Sequence, residues 1–259
     1  MDFLSSFTGV DLSLWGWIIV LTAGSFVGIA KTALPGIGIL VVVLMAMALP
    51  SRMSVGVVLP LLLLGDLFAL GKYWNFTDKK QLFLLLPFAL TGLGIGYVVL
   101  RHVSNEELKP LIGGVVLLML FFHQISRFVK KRKGEGGSPS HGTHPLVTAV
   151  FGFFGGFGSG MANAAGPVLS LYFLIAGLPK LQFLATTAWF FFILNMLKLP
   201  LYLSLGLINL QSLKVNLLAL PSVALGAFLG YWLVKRIPQE RFNQAVLLLA
   251  FAAALKLVL

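Results

Sequence analysis

Apolar residues fill this chain in long blocks, and short polar breaks divide them into two similar series. The blocks run over about 13–30, 34–49, 53–73, 80–101 and 108–128, then 145–161, 165–178, 182–203, 212–234 and 240–258. Several reach the roughly 17–25 residues that a helix needs to cross a bilayer. They are continuously apolar and lack the in-out alternation of barrel strands. The pattern predicts an all-α polytopic membrane protein. Between the series, Arg127 to His144 holds Lys130-Lys131-Arg132-Lys133 and then Gly136-Gly137-Ser138-Pro139-Ser140, a polar, flexible linker. The predicted division is a first transmembrane repeat over 1–128, a linker over 129–144 and a second transmembrane repeat over 145–259.

The two series align residue by residue. An offset of 129 puts Pro50 on Pro179 and Asp66 on Asn195. After a short insertion the offset becomes 134, which puts Pro87 on Pro221, Gly92 on Gly226, Gly96 on Gly230, Tyr97 on Tyr231 and Glu106 on Glu240. Five segments per half is an odd number, so the second repeat is expected to be inverted relative to the first. Each half also carries a polar, Gly/Pro-containing break: Lys31-Thr32-Ala33-Leu34-Pro35-Gly36 in the first, Ala162-Asn163-Ala164-Ala165-Gly166-Pro167 in the second. Matched breaks of this kind point to the midplane binding site of a secondary transporter. The first two segments of each half are short. They are either full spans or a re-entrant, broken-helix pair, and such a tip at membrane depth must line a cavity or be buried in protein.

Charge sets the orientation. The net charge of +11 is not read as a nucleic-acid footprint, because the basic residues sit at segment ends. With a cytoplasmic linker, the inner ends hold Lys72, Lys79, Lys80, Arg127, Lys130, Lys131, Arg132, Lys133, Lys180, Lys235, Arg236 and Arg241, against Arg52, Arg101, Lys109, Lys214 and Lys256 outside. This bias places both termini on the periplasmic side. Tyr73, Trp74, Tyr231 and Trp232 then read as inner belt residues, and Trp15, Trp17 and Tyr202 as outer ones. Met1-Asp2-Phe3 lacks a basic n-region, so the first apolar block is expected to stay in the protein. The chain has no cysteine. His141 and His144 in the linker are a poor metal site, no nucleotide-binding loop or nucleophile elbow is present, and neither a cofactor nor an enzymatic activity is expected.

Four polar residues inside or beside apolar blocks, Lys31, Asp66, Asn195 and Lys198, carry the candidate chemistry. Lys31 is either a snorkelling lysine at a helix end or, at membrane depth, one side of a small anion site; a lysine at the bilayer centre costs roughly 2.5–3.5 kcal/mol on insertion scales. The helix starts at Gly36 and at Pro167 would add unpaired N–H groups and positive dipole ends, and Thr32 and Asn163 would add neutral donors. Asp66 either pairs with Lys31, carries a coupling proton, or makes a structural hydrogen bond. Asn195 and Lys198 share a helix face, and Lys198 either lines an outer vestibule or snorkels outward. Trp189 stands in mid-segment. Gly24 with Gly28, Gly92 with Gly96, Gly156 with Gly160 and Gly226 with Gly230 read as helix-packing positions.

Lys31-Thr32 with Pro35-Gly36, Asn163-Ala164-Ala165-Gly166-Pro167 with Tyr172 downstream, and Trp189-Phe190-Phe191 followed by Asn195, Lys198 and Pro200 resemble the TauE/SafE sulfite exporter family, also called the toluene sulfonate uptake permease family. The resemblance runs from about Trp15 to Val258. It implies a bacterial inner-membrane carrier of sulfite, organosulfonates or related small anions. The expected site comprises Lys31, Thr32, Pro35, Gly36, Asn163, Ala164, Gly166, Pro167, Trp189, Asn195 and Lys198, with Asp66 for proton coupling. The expected partners are a small anion, the lipid bilayer and protons. An anion channel, or a carrier of another small carboxylate or sulfur oxyanion, is the alternative. Monomer and homodimer are both compatible with the sequence.

Overall fold

The structure, a computed structural model, describes residues 2–34, 37–104, 144–233 and Arg236, with scattered positions between 106 and 121 and at 252 and 255. The fifth and tenth apolar blocks fall largely outside these residues, as do Pro35, Gly36 and the linker before His144. Among the described residues the chain is helical and has no strand.

In chain order the helices are α1 (Asp2–Thr8), α2 (Leu14–Thr32), α3 (Gly38–Ala48), α4 (Ser51–Tyr73), α5 (Lys79–His102), α6 (Pro145–Ala162), α7 (Gly166–Ile175), α8 (Lys180–Ser204) and α9 (Leu210–Leu233). Local chemistry sets many of their ends. Ser13 caps α2 by accepting from the Gly16 N–H at 3.1 Å, and Asp78 caps α5 by accepting from the Gln81 N–H at 3.1 Å. Pro145 opens α6 at a position where its missing N–H costs nothing. The matched prolines Pro50 and Pro179 both lie extended, immediately before α4 and α8. Beyond α5, Ser104 and Glu107 form a capping box, with the Ser104 N–H and hydroxyl donating to Glu107 Oε2 at 2.9 and 2.8 Å. Those bonds hold the Glu107 carboxyl below its ordinary pKa.

Among the described residues six helices, α2, α4, α5, α6, α8 and α9, are long and apolar enough to cross a membrane, so the chain is a multi-pass membrane protein. The other two apolar helices, α3 with 11 residues and α7 with 10, reach only about 15 Å at 1.5 Å per residue. Each follows a full-length helix after a short break, so the first segment of each half is long and only the second is short.

Two helix pairs join the halves. A Cβ on Gly28 of α2 would lie 2.2 Å from the Val223 carbonyl of α9, and one on Gly226 of α9 would lie 2.0 Å from the Ser25 carbonyl of α2. Likewise a Cβ on Gly92 of α5 would lie 2.0 Å from the Phe153 carbonyl of α6, and one on Gly156 of α6 would lie 1.9 Å from the Ala89 carbonyl of α5. Backbone thus meets backbone, as small-residue helix interfaces in membranes allow. The first helix of each half packs on the last long described helix of the other. The apolar core lies along these seams and around α3 and α7.

The aromatic belt differs from the sequence expectation in three places. Trp15, Trp74 and Trp232 are exposed at helix ends, as interfacial residues should be. Trp17, Tyr73 and Tyr202 are buried. Trp17 packs with Val20, Met45 and Val215, and the two tyrosines direct their hydroxyls at backbone carbonyls next to the helix breaks.

The glycine seams generate a direct stability test. Gly156→Ala must push α5 and α6 apart and should cost about 1–3 kcal/mol. Gly94→Ala, whose Cβ meets nothing within 4 Å, should be neutral or stabilise by up to about 1 kcal/mol through helix propensity. Thermal unfolding in detergent, followed by tryptophan fluorescence, should place the two variants on opposite sides of the parent or nearly so.

Candidate functional site

The two breaks face a common interior. α6 ends at Asn163, which takes a left-handed φ of 55°, the only non-glycine residue with positive φ among the described residues. Asparagine tolerates that conformation better than most side chains. The Ala164 N–H then returns to the Gly158 carbonyl at 3.0 Å and closes the helix end. α7 restarts three residues later at Gly166. On the other side, α2 ends at Thr32 and α3 begins at Gly38, with no side-chain cap on its first N–H groups.

A cavity of about 30 Å³ lies between the breaks, room for about two waters on the scale where one takes roughly 10–15 Å³. Its wall includes Lys31, Gly38, Ser159, Asn163, Gly166, Thr187, Phe191, Asn195 and Lys198. Gly38 and Gly166 are the first residues of α3 and α7, so two helix N-termini and two lysines share one wall. Helix N-termini carry unpaired N–H groups and a partial positive charge.

The charged groups are tightly held. Lys31 Nζ lies 2.6 Å from Asp66 Oδ1 and 4.1 Å from the centre of the Phe191 ring. The Asn195 amide donates to Asp66 Oδ2 at 2.6 Å. Lys198 donates to Asn163 Oδ1 at 2.7 Å, to Ser159 Oγ at 3.0 Å and to the Ser159 carbonyl at 3.3 Å. Asn163 in turn donates through Nδ2 to the Val55 carbonyl of α4 at 3.2 Å, tying the second break to the first half. Lys198 is 1% exposed. It therefore neither lines an outer vestibule nor snorkels, because acceptors at the end of α6 satisfy it inside the protein.

Of the residues singled out in the sequence, Lys31, Asn163, Gly166, Asn195 and Lys198 meet at the cavity, with Asp66 bonded behind Lys31. Three others sit elsewhere. Thr32 is buried against α9, its hydroxyl within reach of the Gly28 carbonyl at 2.9 Å and the Ala227 carbonyl at 3.2 Å. Ala164 belongs to the apolar core with Leu34 and Val55. Trp189 is half-buried, its ring edge-on to Phe192, and does not line the cavity. Pro167 lies in the first turn of α7, while Pro35 and Gly36 lie outside the described residues. Sequence reasoning missed Ser159, Thr187 and Phe191. The signal was present: 187, 191, 195 and 198 fall on one helical face, and 159 and 163 are one turn apart. Among the described residues no group of acidic, histidine or cysteine side chains could hold a metal.

The buried pair makes its own prediction. Removing one member of a buried ion pair typically costs about 3–5 kcal/mol, because the other is left unpaired. Asp66→Asn and Lys31→Met should each lower the thermal midpoint in detergent, and the double variant should lose less than the sum of the two. Strictly additive losses would show that the pair is not coupled.

Neither the curated proteins nor the solved structures compared with it offer a match to this chain. The sulfite exporter TauE/SafE family model does match, over residues 20–257 of 259. With six membrane-length helices and a family match over nearly its whole length, the chain belongs to the sulfite exporter TauE/SafE family of membrane transporters.

Proposed function

We propose that this protein is a secondary carrier of small anions, sulfite or an organosulfonate first among them, working by alternating access at the central cavity. One observation carries the reading: two buried lysines and the first residues of α3 and α7 line one small cavity. A partial vacancy lined by ammonium groups and helix N-termini favours an anion. The family name supplies the sulfur-oxyanion class. Lys31, Lys198 and Asn163 are the proposed anion contacts, with backbone N–H groups at the starts of α3 and α7. Asp66 is the proposed coupling group.

Two inverted repeats, 1–128 and 145–259, are the proposed frame, joined by a cytoplasmic linker with both termini periplasmic. Several observations support it. Asp66 and Asn195, equivalent at an offset of 129, are bonded to each other, which is expected of a residue and its mate beside a pseudo-twofold axis. Tyr73 and Tyr202 stand at the same spacing. Tyr73 donates to the Thr32 carbonyl at 3.0 Å and Tyr202 to the Gly160 carbonyl at 2.9 Å, each at the end of the helix preceding its own break. The α2–α9 and α5–α6 seams exchange under the same relation. In this reading α3 and α7 are re-entrant halves of broken spans. Alternating access is rocking of one repeat against the other. No nucleotide-binding loop occurs in the sequence, and the membrane potential (inside negative) favours anion export by about 2.3 kcal/mol per charge per 100 mV.

The test is flux in proteoliposomes with labelled sulfite, sulfoacetate, thiosulfate and sulfate. Saturable flux at carrier rates for at least one of these is expected; no flux for any of them, or bulk ionic conductance, would overturn the reading. Lys198→Gln removes a charged hydrogen-bond partner worth about 1.5–3 kcal/mol and should raise the apparent KM by about ten- to a hundredfold. Trp189→Phe, away from the cavity, should change it by no more than about twofold, as for substitutions that touch no site.

A further inference from the structure

The cavity wall and its support hold two cations and one anion. Lys198 presents three N–H groups and meets three acceptors, Asn163 Oδ1, Ser159 Oγ and the Ser159 carbonyl. An ammonium has three donors and no acceptor, so this nest fits the charged form. Lys31 is ion-paired with Asp66 Oδ1 at 2.6 Å and lies against the face of Phe191, which also suits a cation. Asp66 is fully buried.

Among the described residues the surroundings of Asp66 are otherwise neutral. Four α-helices pack on α4 among the described residues. α2 brings Lys31, and α8 brings Asn195 and Lys198. α3 has no titratable side chain. α9 brings Tyr231, whose hydroxyl donates to the Phe68 carbonyl at 2.7 Å, while its Lys214 lies 5.4 Å from the Phe7 ring of α1. On α4 itself, Tyr73 is committed to the Thr32 carbonyl. The cluster therefore has one unmatched positive charge when Asp66 is ionised, and two when Asp66 is protonated. An unmatched charge in an apolar interior is strongly disfavoured.

We infer that the cluster selects its load by charge: a monoanion completes it with Asp66 ionised, and a dianion completes it only together with one proton on Asp66. The inference rests on the carrier reading above and adds the coupling rule. The proton arrives from the same aqueous side as the dianion and bonds to Asp66 Oδ1 as that oxygen releases Lys31. Lys31 then turns the freed N–H to the anion. On the far side the anion leaves, the O–H bond breaks, the proton passes to water, and the ion pair re-forms. Substrate and proton thus move in the same direction, one of each for a divalent oxyanion.

The test uses anions of fixed charge, methanesulfonate for the monoanion and thiosulfate for the dianion, because sulfite itself titrates near neutrality. The intact protein is placed in vesicles with an internal pH dye, and the potential is clamped by potassium and valinomycin. One proton should enter per thiosulfate and none per methanesulfonate. Asp66→Asn should carry thiosulfate with no proton signal and lose methanesulfonate flux. A dianion carried without a proton, or a monoanion carried with one, overturns the inference while leaving the carrier reading intact. No flux of any anion overturns the carrier reading, and this inference with it. The wild-type counts decide the matter even if the variant does not fold.

Discussion

Lys31 and Asp66, 2.6 Å apart inside the helix bundle, hold the end of one broken helix against the long helices of both halves. Lys31 belongs to the last turn of α2, Asp66 to the middle of α4, and Asn195 closes the second carboxylate oxygen from α8. Neither charge would be tolerated alone at that depth. Their pairing lets a cation stand at the cavity wall without unfolding the site. Lys198 adds a second cation at the wall, held by Asn163 and Ser159 and by no carboxylate among the described residues.

A broken helix creates a second problem, unpaired backbone groups where no water reaches. The protein meets it with side chains from the neighbouring long helices. Tyr73 donates to the Thr32 carbonyl, Tyr202 to the Gly160 carbonyl, and Lys198 to the Ser159 carbonyl. These partners all serve carbonyls, at the C-terminal ends of α2 and α6. Gly38 and Gly166, the first residues of α3 and α7, line the cavity. The side chains thus close the C-terminal ends of both broken helices, while the first residues of α3 and α7 lie at the cavity wall. A second buried polar link, from the Tyr172 hydroxyl to Gln81 Oε1 at 2.7 Å, fastens α7 to α5.

The seams that join the halves are glycine-lined and close. Backbone contact at Gly28, Gly92, Gly156 and Gly226 fixes α2 on α9 and α5 on α6. α4 and α8, by contrast, meet largely through side chains around the cavity, including the Asp66–Asn195 bond and the packing of Ala69 and Leu70 with Ala185 and Ala188. Interfaces built from side chains re-pack more readily than interlocked backbones. The halves thus meet at two close backbone seams, α2–α9 and α5–α6, and at the side-chain contact of α4 with α8.

Long apolar blocks are legible in sequence because helix length and bilayer thickness are fixed quantities. The described helices accordingly fall close to the predicted segments from Leu14 to Leu233. The breaks at Lys31 and Asn163, and the equivalence of Asp66 with Asn195, were legible for a related reason: a polar residue in an apolar run is expensive and must be kept for something. The sequence alone could not say which way those residues turn. Thr32 and Trp189 looked like site residues but face packing seams, while Ser159 and Thr187 looked ordinary and line the cavity. In sequence Lys198 reads as lining an outer vestibule or snorkelling, and Tyr73 and Tyr202 read as belt residues; carbonyls arriving from another helix hold all three inside the protein instead. Sequence determined where the chain crosses and where it breaks, because hydrophobicity is a property of segments; tertiary structure decided who partners whom, because hydrogen bonds depend on helices brought together from distant parts of the chain.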